Sequence, residues 1–493
     1  MAADLVFRDV RILDGTGAPA FDGDVVVDDG RITAVGDVSG SGDAAGATVI
    51  DGRGRVLAPG FVDTHTHDDG ALLAHPGLEF KTSQGCTSLV IGNCGFSAMP
   101  SGGPALWASS GQEWNDLDGF RDALANNGGI AANAIALIGH NTMRAVAMGD
   151  DAKRAPTGAE LDRMRGWVEQ AMEQGACGFS TGLIYRPGRW SDTDEVIELT
   201  RPAAAHGGLY ATHMRNEADR LLPAVEEAIR IGREAGCGVH ISHHKAAGQP
   251  NWGKVVESLA LVDQANASGG DVTLDVYPYT AGSGRMIEYF DLKNPSEELA
   301  RVIRIASCPA FPGYEGRMLV DIAVETGETL ADLVRRILTA ERGDRTICIH
   351  FIIDEADIEA NLRHPQMMIG SDGIPDLKGK PHPRLFGTMP RVLAEYVRNR
   401  NVLTLEEAVR RMTSLSCDRF GLVGRGRVAE GMWADLVLFD PDRIADTATY
   451  DDPKQESVGV DCVVVNGTVV FDHGTHTGAR PGALLHYREE SRA

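Results

Sequence analysis

No apolar run in these 493 residues approaches the roughly 20 needed to span a bilayer. The N-terminal MAADLVFRDV has no basic segment leading into an apolar one. No secretory signal is read there, and the cytoplasm is the expected compartment. Basic residues are in deficit. Against 70 Asp and Glu stand 47 Lys and Arg, and the net charge of -23 disfavours nucleic acid and anionic membrane as partners. Cysteine is sparse, and eight in so long a chain without a dense repeated spacing exclude a disulfide framework. Cys86, Cys177, Cys237, Cys308, Cys348, Cys417 and Cys462 sit in apolar surroundings and read as small core residues; Cys94 does not. What remains is an ordinary globular composition, 43% hydrophobic and 24% charged, long enough for a large core and more than one domain.

The stretch 56–69, VLAPGFVDTHTHDD, organises the rest. An apolar run meets Pro59-Gly60 and resumes as Phe61-Val62-Asp63-Thr64-His65-Thr66-His67. Side chains two apart on a strand share a face, so His65 and His67 point the same way. Two imidazoles at the end of a buried strand are half of a divalent-metal site.

The two ends of the chain are β-rich. Asp29-Gly30 and Asn466-Gly467 each separate runs of β-branched residues, the pattern of a hairpin turn. One small β-sandwich domain built from residues 1–57 and 415–493 is expected. Between them strands and helices alternate. Candidate strands are 61–65, 87–93, 134–138, 178–182, 208–213, 238–242, 272–277, 346–351 and 367–371; candidate helices include 159–174, 221–235, 254–267 and 404–412. This alternation predicts an α/β fold, a (β/α)8 TIM-like barrel over residues 58–414. Nine strands are one too many. Residues 285–347 break the rhythm and read as an insertion in a late barrel loop near the active-site mouth, so 346–351 is assigned to it.

In such a barrel the C-terminal strand ends form one ring, where active sites lie. Here they carry His65, His67, Cys94, His213, His243 and Asp372. A lone His or Cys at a strand end is more often structural than a ligand. Six metal-competent side chains on one rim fit a zinc site. His140 reads as structural, His240 lies inside its strand, and His244 faces away from its neighbour His243. Asp63 reads as a hydrogen-bonding residue at a strand end.

These segments resemble the amidohydrolase superfamily, and more closely its N-acyl-D-amino-acid deacylase (D-aminoacylase) branch. The matching stretches are Pro59-Gly60-Phe61-Val62-Asp63-Thr64-His65-Thr66-His67-Asp68-Asp69, Gly92-Asn93-Cys94-Gly95, Ser180-Thr181-Gly182-Leu183-Ile184-Tyr185, Thr212-His213-Met214-Arg215-Asn216-Glu217, Ile241-Ser242-His243-His244-Lys245 and Ile369-Gly370-Ser371-Asp372-Gly373. Many dinuclear relatives bridge their metals with a carboxylated lysine. The fourth strand here has none, and Cys94 offers a thiolate instead. The resemblance implies one tight zinc on Cys94, His213 and His243, and a second, weaker position on His65, His67, Cys94 and Asp372.

It further implies hydrolysis of the amide of N-acyl-D-amino acids by metal-activated water, with Asp372 as general base and then acid. The substrate carboxylate calls for a cation. Lys245, two residues beyond His243, and Arg384 are the candidates, with Tyr185 and Tyr277 as phenolic donors. Arg285 reads either as a residue selecting acidic side chains or as a loop charge. The alternatives are a dipeptidase for dipeptides ending in a D-residue, a dihydropyrimidinase-like cyclic-amide hydrolase, and a non-catalytic scaffold. The preferred side chain and acyl group, and the oligomeric state, are not written in these residues.

Overall fold

The computed structural model describes residues 4–38, 46–101 and 114–489. Eight parallel strands follow one another in chain order: Phe61–Asp63, Cys86–Ile91, Asn133–Gly139, Gly178–Gly182, Leu209–His213, Val239–Ile241, Val272–Val276 and Met367–Ile369. The Thr64 amide donates to the Ile369 carbonyl at 3.4 Å, and a parallel bridge joins Thr66 to Gly373. The first and last strands therefore meet, and the sheet nearly closes into a barrel. All eight are buried along their length, as parallel strands covered by helices are.

The helices begin and end where their residues dictate. Gly158–Glu173 opens on a capping box in which Thr157 accepts from the Glu160 amide and Glu160 reaches back to Thr157. Leu221–Ala235 stops at Gly236, which takes the left-handed conformation of a helix C-cap.

The ninth candidate strand is not in the barrel, because Val272–Val276 pairs directly with Met367–Ile369. Ile347–His350 instead pairs antiparallel with Gly282–Arg285 and Ile303–Ser307. These three strands and the helices Leu319–Thr326 and Leu330–Thr339 enclose a core of their own, including Ile303, Ile305, Ile322, Val334, Ile337 and Cys348.

The chain ends share a nine-stranded mixed sheet. It branches at Leu5–Ile12, which pairs parallel with Thr48–Asp51 along its first half and with Val56–Pro59 along its second. Val56–Pro59 in turn pairs antiparallel with Leu436–Phe439. Asp29 and Gly30, and likewise Asn466 and Gly467, have positive φ at both positions, the geometry that matches a two-residue turn to strand twist.

A buried polar knot fastens this sheet to the barrel floor. Arg425 is paired with Asp435, whose carboxylate accepts from the Asn466 amide at 2.8 Å and from Asn133 Nδ2 at 3.3 Å. Asn133 opens the third barrel strand. Removing one partner of a buried pair strands the other charge. Asp435→Asn is expected to cost about 3–5 kcal/mol, read as a lower denaturant midpoint. An unchanged midpoint would show that the knot contributes no net stability.

Candidate metal centre

The six expected ligands converge at the strand ends. Cys94 Sγ lies 3.3 Å from His65 Nε2, 3.4 Å from His243 Nε2 and 3.8 Å from His213 Nδ1. His67 Nε2 lies 3.0 Å from Asp372 Oδ1, and His65 Nε2 3.6 Å from the same oxygen. The donor atoms of His65, Cys94 and His243, and those of His65, His67 and Asp372, each fall within 4.8 Å of one another. His65 thus stands between the two groups.

Three of these residues leave their strands through the left-handed region: Cys94 (φ 54°), His243 (φ 35°) and Asp372 (φ 50°). That conformation is uncommon for any residue other than glycine and persists only where surroundings enforce it. At Cys94 the enforcement begins with Gly92. Its φ is 79°, and a Cβ there would stand 2.1 Å from the Leu137 carbonyl oxygen. The Gly-Asn-Cys-Gly turn is pressed against the third strand, which drives the sulfur inward.

The electrostatics suit a cation. Burial alone would push the Cys94 thiol up, but His65, His243 and His213 around it hold it well below its usual range. Burial likewise opposes charge on Asp372, yet Arg384, His243, His67 and His65 hold its carboxyl well below the carboxylate range. A thiolate, imidazoles and a carboxylate make a donor set that fits zinc.

Two carboxylates outside this set orient the imidazoles, and the sequence reading did not single them out. Glu217 Oε1 lies 3.0 Å from His243 Nδ1, and Oε2 lies 3.4 Å from His213 Nε2. These are the ring nitrogens facing away from Cys94, and such partners fix a ligand's tautomer and angle. Asp275 performs the same service for His65, at 3.3 Å from Nδ1, and accepts from the His243 amide at 2.8 Å. Both were within reach of pattern. Glu217 closes the Thr-His-Met-Arg-Asn-Glu stretch, and Asp275 shares strand parity with Tyr277.

The remaining expectations divide. Lys245 Nζ is 2.6 Å from Glu217 Oε1 and 3.0 Å from His243 Nδ1, so its first partner is the carboxylate that orients His213 and His243. Arg384 is buried against Asp372, with Nη2 2.9 Å from Oδ2 and its guanidinium 4.4 Å from the Tyr277 ring. Arg384 Nε and Nη1 have no hydrogen-bond partner among the described residues. Tyr277 is buried between these two cations, and burial raises its phenol to about 12 despite them. Tyr185 lies with its ring 4.5 Å from that of His213.

His140 pairs with Glu195, and His244 with Asn361 and Ser258, while His240 Nε2 lies 2.8 Å from the Asp275 oxygen that also faces His65. Arg285 feels the charges of Glu288, Asp344 and Arg345, and burial holds its guanidinium below its usual range. Of the buried lysines near the cluster, Lys245 is held by Glu217 and Lys81 by Asp63.

A sequence profile of the Amidohydrolase family matches residues 48–312 and 199–471. This chain is 43% identical to a D-aminoacylase of Alcaligenes xylosoxydans xylosoxydans, over 98% of its own length and 97% of the relative's. It is 41% identical to an N-acyl-D-glutamate deacylase of the same organism, over 98% and 96%. The solved N-acyl-D-glutamate deacylase from Bordetella bronchiseptica, complexed with zinc and a phosphonate inhibitor, superposes with a TM-score of 0.91 at 40% identity, covering 99% of this chain and 100% of that one.

Proposed function

The chain belongs to the amidohydrolase family, and from that premise we propose that it hydrolyses N-acyl-D-amino acids to a carboxylate and a free D-amino acid. The observation that carries the reading is the buried cluster of Cys94, His65, His67, His213, His243 and Asp372 beside a guanidinium with two nitrogens to spare. The cofactor is zinc. Cys94, His213 and His243 would hold the tight position, and His65, His67, Cys94 and Asp372 a weaker second one. Zinc bound there supplies Lewis acidity toward the amide carbonyl and makes water acidic enough to attack near neutral pH.

The chain's own residues do the rest. Asp372 is ionised when substrate arrives, takes the proton of the attacking water, and passes it to the amine nitrogen as the carbon–nitrogen bond breaks. Arg384 and Tyr277 hold the substrate carboxylate, the arginine through Nε and Nη1. Lys245 keeps Glu217 charged, and Glu217 keeps both imidazoles turned toward the sulfur. Tyr185 borders the site on the side of His213.

Hydrogen bonds to charged groups are worth about 1.5–3 kcal/mol. Arg384→Met is therefore expected to lower kcat/KM by ~10–100-fold, mostly as a higher KM. An unchanged KM would remove Arg384 from the substrate carboxylate. The class itself is tested by amine release from paired N-acetyl-D- and N-acetyl-L-amino acids bearing Met, Leu, Phe, Glu and Asp side chains. Release from the D-series alone, abolished by chelator, is expected. Release from neither series by zinc-loaded protein refutes the proposal.

A further inference from the structure

Beneath the metal-competent cluster lies an ammonium that the chemistry above does not use. Lys81 sits on the short helix Glu79–Thr82 and is completely buried. A buried ammonium costs several kcal/mol unless its partners are well placed. Here Nζ donates to Asp63 Oδ2 at 2.7 Å and to Ser371 Oγ at 2.9 Å, with Asp68 Oδ2 at 3.3 Å. None of the three belongs to the donor cluster.

The bonds leading from this group converge on one residue. Asp63 Oδ1 accepts from the Ser371 amide at 2.7 Å and from the His65 amide at 3.3 Å. Ser371 Oγ accepts from the Gly373 amide at 3.1 Å as well as from Lys81, and it donates to the His65 carbonyl at 3.4 Å. That carbonyl also accepts from the Asp372 amide at 2.8 Å. The residues on either side of Asp372, and the backbone it bonds to, are all tied to one buried ion pair. Asp372 itself has φ 50°, and such a conformation is stable only where neighbouring structure over-determines it.

We propose that Lys81, acting through Asp63 and Ser371, is a positioning residue for Asp372. It holds Asp372 in the left-handed turn that aims its carboxylate at His65 and His67. The proposal rests on the deacylase reading, in which Asp372 moves the proton. A proton carrier displaced by about 1 Å can lose on the order of 100-fold in rate. Lys81 touches none of Cys94, His213 or His243, so the tight zinc is indifferent to it.

The test uses zinc-loaded protein with Ser371→Ala, which removes the hydroxyl link and strands no charge, and the double variant K81M/D63N, which removes the ammonium with the carboxylate it bonds at 2.7 Å and leaves Asp68 without its cation. Wild type, Ser371→Ala and the double variant are assayed for kcat, KM and bound zinc on the best N-acetyl-D-amino acid. The expected result is kcat lower by ~10–100-fold with KM within ~3-fold and the tight zinc retained. Ser371→Ala with wild-type kcat overturns the positioning role and leaves the deacylase reading intact. Loss of tight zinc together with kcat also overturns it, because the group then supports the whole site. If the double variant does not fold, Ser371→Ala decides alone. A wild type inactive on every D-substrate removes the deacylase reading, and this inference with it.

Discussion

Asp372→Asn is expected to fold, keep its tight zinc and lose on the order of 1000-fold in kcat, within the range for a positioned general acid–base. The amide is nearly isosteric with the carboxylate and still reaches His67 and Arg384 by hydrogen bonds, so packing survives. What it lacks is a site for the proton. The wild-type group is suited to accept one because His67, His65 and Arg384 keep it ionised. Steady-state kinetics with zinc analysis checks this. Turnover near wild type would mean that another group moves the proton, and the roles given to His67 and Arg384 would fall with it.

Cys94→Ala carries the second large effect, this time on the metal. The sulfur lies 3.3 Å from His65, 3.8 Å from His213 and 3.4 Å from His243. Loss of a mere orienting partner costs ~10–100-fold in metal affinity, and loss of this ligand should exceed that. Activity should fall to background at stoichiometric zinc. Removing zinc from the wild type with a chelator should do the same, reversed by about one equivalent of added zinc. Retained tight zinc in Cys94→Ala would move the first metal position to the three imidazoles and Asp372.

The barrel was legible because each of its strands is an apolar run bounded by turn residues, and because ligand types recur at the ends of those runs. The same rule produced one strand too many at Ile347–His350, whose partner Gly282–Arg285 reads Gly-Ser-Gly-Arg and carries no β signal of its own. The convergence of the six side chains was legible and their supports were not. Lys81 lies in a four-residue helix that any surface loop could contain. Only tertiary packing buries it beside Asp63. Lys245 was read as a cation for the substrate carboxylate, and spacing could not show that Glu217, four residues beyond His213, would lie against it. Face-sharing along a strand locates a side chain without naming what it will meet.

The strand Val56–Pro59 is flanked by Leu5–Ile12 on one side and by Leu436–Phe439 on the other, and one glycine separates it from the strand Phe61–Asp63 that leads to His65 and His67. On the ribosome, its first neighbour is already made and its second emerges only after the whole barrel. At ~5–20 residues per second that interval is on the order of 20–80 s. Throughout it the nascent chain presents an open strand edge, the kind that recruits other chains. The sheet that anchors this region is therefore completed only by a segment translated after the whole barrel. Nonsense truncations between Asp372 and Leu436 would leave every expected zinc ligand encoded and the strand Val56–Pro59, just upstream of His65 and His67, half-moored.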